Sequence, residues 1–101
     1  MAKQPMLEHV DAELEVLMDR FFASSRRDVE TMRQALAEGD LATVTRLGHS
    51  AKGAGRGYGF LGMGELGREL EQAGKAGDRK AAEDALDRLA HYLDNVRYEF
   101  K

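Results

Sequence analysis

The pair Gly-Asp occurs twice, at Gly39-Asp40 and Gly77-Asp78, each time between stretches whose apolar residues recur every three or four positions. Glycine accepts the left-handed backbone that ends a helix. An aspartate beside it can accept hydrogen bonds from the free N–H groups that open the next. Two such stop-and-start signals divide the chain into long amphipathic helices joined by short connections. The only proline is Pro5, outside every periodic segment, so no proline interrupts the helices that follow.

The first helix is expected from Asp11, its N-cap, to Gly39, with Leu14, Leu17, Met18, Phe21, Phe22, Val29, Met32 and Leu36 on its apolar side and a break near Ser24-Ser25. The second, capped by Asp40, turns Leu41, Val44, Leu47, Ala51, Ala54 and Tyr58 inward and ends at Gly59, with Phe60 folding back onto its last turn. A third starts at about Gly62 and buries Met63, Leu66, Leu70 and Ala73. The last runs from about Arg79 to Tyr98 with Ala82, Ala85, Leu86, Leu89, Leu93 and Val96 as its stripe. No strand-like alternation and no internal repeat is visible. The expected fold is all-α, an antiparallel up-down-up-down four-helix bundle over residues 11–101, preceded by a flexible N-terminal segment, residues 1–10, that forms an extension or a short extra helix.

Composition narrows the function classes. At 101 residues the chain is one domain, of a size that buries about 65% of its unfolded surface. Its net charge of −3 argues against general nucleic-acid binding, which calls for a dominant basic patch. There is no cysteine, hence no disulfide framework and no thiolate metal site, which fits a cytoplasmic protein. No apolar run approaches the roughly 18 residues of a membrane span, and the start, MAKQPMLEHV, lacks the apolar core of a secretory signal. A start at Met1 favours a stand-alone protein, and a monomer is expected.

On the second helix, His49, Lys52, Gly53 and Arg56 fall at i, i+3, i+4 and i+7 and share one stripe. Val44, Leu47, Ala51 and Tyr58 occupy the opposite, inward one. A lone helical histidine is most often an ordinary surface residue. This one is flanked by cations and stands beside a residue with no side chain, an arrangement that suits a nucleophile accepting an anionic group. His9 and His91 have no partners at metal-ligand spacing. Gly57-Tyr-Gly59-Phe-Leu-Gly62 matches G-x-G-x-x-G, but a helix precedes it where a dinucleotide site needs a strand. Gly53, Gly55 and Gly57 each cost a helix about 1 kcal/mol relative to alanine. Close helix approach or backbone left bare for a docking partner would account for them.

The stretch His49-Ser-Ala-Lys52-Gly53, followed by Gly59 and by Leu70-Glu71 one helix later, resembles the histidine-containing phosphotransfer (HPt) family. The run from His49 to Phe60 looks especially like the phosphotransfer domains of chemotaxis histidine kinases. The extra glycines of Ala54-Gly55-Arg56-Gly57 depart from the commonest family pattern. The resemblance implies a phosphocarrier of a two-component phosphorelay, not an autonomous enzyme. His49 would take a phosphoryl group from a receiver-domain aspartate or a histidine kinase and pass it to a response regulator. Lys52 would place a cation near the phosphoryl oxygens, and Glu71 would hold the other imidazole nitrogen. Gly53, Arg56, Thr45 and Gly59 would serve partner docking. No cofactor, metal, nucleic acid or membrane is implied. The alternative is a phosphorylation-independent helical adaptor that binds a signalling partner through the same face.

Overall fold

The computed structural model describes residues 7–101. Four helices account for most of it: α1 Met18–Ala37, α2 Leu41–Tyr58, α3 Leu61–Ala76 and α4 Arg79–Asn95. Each helix packs on two neighbours, α1 on α2 and α4, α3 on α2 and α4, which closes the expected four-helix bundle. The connections are as short as the Gly-Asp signals require. The Asp40 carboxylate accepts from the Thr43 N–H (3.1 Å) and the Asp78 carboxylate from the Ala81 N–H (3.0 Å), so both aspartates cap helices as expected. No helix of the described residues is long and apolar enough to cross a membrane.

Several boundaries differ from the sequence reading. Asp11 caps a six-residue 3-10 turn, Ala12–Leu17, and not α1 itself. α1 then runs unbroken through Ser24-Ser25, with Ser25 buried at 7% exposure. Leu17, expected inward, is 37% exposed. The last helix stops at Asn95, where Val96 turns extended.

The larger difference is a pair of strands. Leu7–Val10 forms β1 and Arg97–Phe100 forms β2, paired in parallel with Leu7 against Arg97 and Val10 against Phe100. Of the segment expected to be flexible, residues 1–6 lie outside the described residues, while residues 7–10 are this first strand. Val10 is fully buried and Glu8 is 2% exposed. The Glu8 carboxylate accepts from the Gly62 N–H in the first turn of α3 (2.8 Å) and from the Tyr92 hydroxyl of α4. One buried carboxylate thus satisfies a free helix N–H and a half-buried phenol together, and partial burial beside this carboxylate raises the Tyr92 hydroxyl well above its ordinary pKa.

An aromatic cluster sits at this end of the bundle. Phe60 is fully buried, with the rings of Phe21, Phe22 and Tyr98 at centroid distances of 5.1, 5.5 and 5.3 Å, a spacing at which edge-to-face and offset pairs are favourable. Gly59 closes α2 with φ +95°. A methyl group there would run into the His9 carbonyl of β1, so the residue must be glycine on both counts. The rest of the core follows the expected stripes, with Val44, Met32, Leu70, Ala82 and Leu89 all at 1% exposure or less.

Candidate functional site

The α2–α3 contact decides the geometry of the site, and it is made of glycine. A methyl group at Gly48 would stand 2.7 Å from the Glu71 amide nitrogen, and one at Gly55 2.5 Å from the Gly64 nitrogen. Gly67 lies as close to the α2 backbone at Lys52, and Gly74 to Thr45. With no side chains between them, the two backbones run almost in contact, and side chains on the rim of the seam are brought within hydrogen-bonding reach of one another.

Three of those rim residues meet. Glu71 is 8% exposed and receives the His49 ring nitrogen Nδ1 on Oε2 (2.8 Å) and the Lys52 ammonium on Oε1 (2.7 Å). The Lys75 ammonium, one turn further along α3, stands 3.5 Å from Oε2. The hydrogen bonds from Lys52 and then His49 hold the Glu71 carboxyl at a pKa of about 2, so it is ionised at neutral pH.

An ionised carboxylate can only accept. The Nδ1 of His49 must therefore carry the hydrogen, which in the neutral ring leaves the lone pair on Nε2. Nε2 has no hydrogen-bond partner among the described residues, and the His49 side chain is 66% exposed. The arrangement is a fixed tautomer with its nucleophilic nitrogen facing outward and a positive charge beside it. Such a nitrogen can accept an electrophilic, anionic group delivered from outside, provided that group reaches the ring unobstructed.

Gly53 leaves that approach open: a methyl group there would meet nothing within 4 Å. Thr45, one turn before His49, is half-buried, its hydroxyl donating to the Leu41 carbonyl (2.9 Å) while it packs on Gly74. Arg56 is exposed two turns beyond His49, its stem against Gly64. The structure does not bring Gly59 to the site. It lies ten positions along α2, about 15 Å away, under β1. Of the three glycines singled out in α2, Gly55 serves helix approach, whereas Gly53 and Gly57 face open space.

Sequence reasoning missed Lys75, although its i+4 spacing from Glu71 was visible. A cleft of about 360 Å³ lies between α1 and α2, where Arg20, Ser24 and Asp28 of α1 face Ser50 and Ala54; His49 does not line it. Burial pushes the Asp28 carboxyl up, against the pull of Arg27 and Arg46. In α3, Gly64, Gly67 and Gly74 recur at three and seven and so share the helix face that meets α2.

Comparison with known proteins gives one family. The model of the Hpt domain matches residues 16–99, from the 3-10 turn through α4 and nearly all of β2. No curated protein and no solved structure matches the chain.

Proposed function

The chain belongs to the Hpt domain family, the histidine phosphotransfer modules of two-component signalling, and on that premise we propose that His49 is its phospho-accepting residue. The observation that carries the proposal is the His49–Glu71 hydrogen bond at 2.8 Å, which directs the lone pair of an exposed imidazole to Nε2. In the reaction, Nε2 attacks the phosphorus of an aspartyl phosphate on a receiver domain. The N–P bond forms as the P–O bond to the aspartate breaks, and the aspartate leaves as a carboxylate. The reverse step passes the group to the next receiver.

The Nδ1 hydrogen stays on the ring throughout. As positive charge gathers on the imidazole, Glu71 stabilises it through that hydrogen bond. Lys52 offsets the negative charge of the phosphoryl oxygens. Phosphoryl transfer depends chiefly on such positioning and charge placement, and the partner supplies the remainder. The chain acts as a phosphocarrier. The partner docks over Gly53, between the Thr45 and Arg56 ends of the stripe. A cytoplasmic setting fits that role.

The test is a phosphotransfer profile against a panel of purified, phosphorylated receiver domains. Wild-type protein is expected to take label from at least one receiver, and His49→Gln from none. Equal labelling of the two would overturn the assignment. Receiver binding that survives His49→Ala, with no transfer from any receiver to the wild type, would favour the adaptor.

A further inference from the structure

Against the monomer expected from the sequence, we propose that the chain self-associates through the outer edge of β2, forming a weak two-fold dimer in which the two β2 strands run antiparallel. The inference rests on the strand pair alone and is independent of the reading of His49.

The hydrogen-bond parity of β2 is set by its last residue. The Lys101 N–H donates to the Val10 carbonyl (3.0 Å) and the Lys101 carbonyl accepts from the Ala12 N–H (3.1 Å). Backbone groups alternate sides along a strand, so Arg97, Glu99 and Lys101 turn theirs to β1, and Tyr98 and Phe100 turn theirs away. Among the described residues β2 pairs with no strand but β1. The other edge of β1 is closed by the Gly59 backbone against the His9 carbonyl. The open edge of this sheet is therefore that of β2, and unpaired strand edges are templates for a further strand.

The sequence of that edge is complementary to itself. Antiparallel pairing about a two-fold axis at Tyr98 sets Tyr98 opposite Tyr98 of the second copy, so that the two residues exchange both backbone hydrogen bonds, as an antiparallel hydrogen-bonded pair requires. The same register sets Arg97 opposite Glu99 of the second copy, twice by symmetry, and Phe100 opposite Val96 of the second copy. Arg97 and Glu99 are exposed, and Phe100 is 37% exposed. Opposite charges thus meet on one face and apolar side chains on the other. A register slipped by one residue would set Tyr98 against Glu99 and lose both matches. Charge complementarity selects a second copy as the occupant, in preference to an unrelated extended peptide. A four-residue strand buries far less than the roughly 1,600 Å² of a standard interface, so the dimer is weak. His49 lies well away from this end of α2 and stays accessible.

Sedimentation equilibrium of the full chain, from about 10 µM to about 1 mM at low salt, tests the proposal. The dimer fraction is expected to rise across that range. Arg97→Glu and Glu99→Arg should each weaken association about tenfold or more, because each sets like charges opposite one another twice. The double variant, which exchanges the charges, should restore it. Both positions are at the surface, and helical circular dichroism checks that each variant is folded. A wild type that stays monomeric throughout overturns the proposal, as does an association indifferent to Arg97→Glu or a double variant that fails to recover.

Discussion

Glu71 carries more of the site than any other single residue after His49. One carboxylate holds a tautomer with Oε2, a lysine with Oε1, and a second lysine nearby. Its depressed pKa makes a prediction about stability. A carboxyl ionised more readily in the folded than in the unfolded chain binds fewer protons when folded, so it stabilises the fold at pH values above its ordinary 4.5. That contribution is expected to disappear as pH falls from about 4.5 to about 2. Urea denaturation between these limits should show a steeper acid loss for the wild type than for Glu71→Gln; parallel curves would mean that the carboxylate is not paired in solution. Lys52→Ala should leave the bundle folded, since a single surface ion pair contributes at most about 1 kcal/mol. It should slow transfer from a phosphorylated receiver, measured in single-turnover assays. Unchanged kinetics would reduce Lys52 to a solvated helix residue.

At the level of elements, the glycines of α2 do two different jobs, and a pair of variants separates them. Gly48→Ala places a methyl 2.7 Å from the Glu71 nitrogen, so the helices must part. The expected cost is about 1–3 kcal/mol in chemical denaturation, together with slower phosphotransfer as Glu71 draws away from His49. Gly53→Leu has open space and a better helix propensity, so stability should hold or rise by up to about 1 kcal/mol. Transfer should nonetheless fall, because the new side chain projects into the incoming partner. Unfolding of Gly53→Leu would contradict the open placement of that position. The helices themselves were legible in the sequence because apolar spacing and the Gly-Asp caps are local signals. His49, Lys52 and Gly53 were legible as a stripe for the same reason. That Glu71 completes the site followed from family resemblance alone, since the contact spans two helices. Its physical cause, the side-chain-free α2–α3 seam, is written in Gly48, Gly64, Gly67 and Gly74 but becomes evident only once the helices are paired.

For the whole molecule, the parallel β1–β2 pair ties the start of the described chain to its end. Nothing local announces it: Leu-Glu-His-Val and Arg-Tyr-Glu-Phe are short, and parallel partners this far apart in sequence leave no turn between them to read. Glu8 anchors the pair to the bundle, and its loss would leave the Gly62 N–H without its partner and the half-buried Tyr92 hydroxyl without its acceptor. Glu8→Ala is expected to cost about 1–3 kcal/mol in thermal or urea unfolding. Phosphotransfer at His49 should persist while the bundle remains folded. A neutral effect on stability would mean that water replaces the carboxylate. The clasp and the proposed phosphotransfer site lie apart, one at the β1–β2 end of the bundle and the other on the exposed stripe of α2.

Under the proposed function the phosphoryl group resides on His49 at Nε2, with Nδ1 held by Glu71. Phosphorus–nitrogen-correlated NMR at neutral to alkaline pH, on protein loaded by a phosphorylated receiver, measures it directly. Mass spectrometry of the same sample assigns the residue. The expected result is a single phosphohistidine, at His49, bonded through Nε2 and absent from His49→Gln. Label on His9 or His91, or on Nδ1 of His49, would contradict the account, the latter because Nδ1 could not then donate to Glu71.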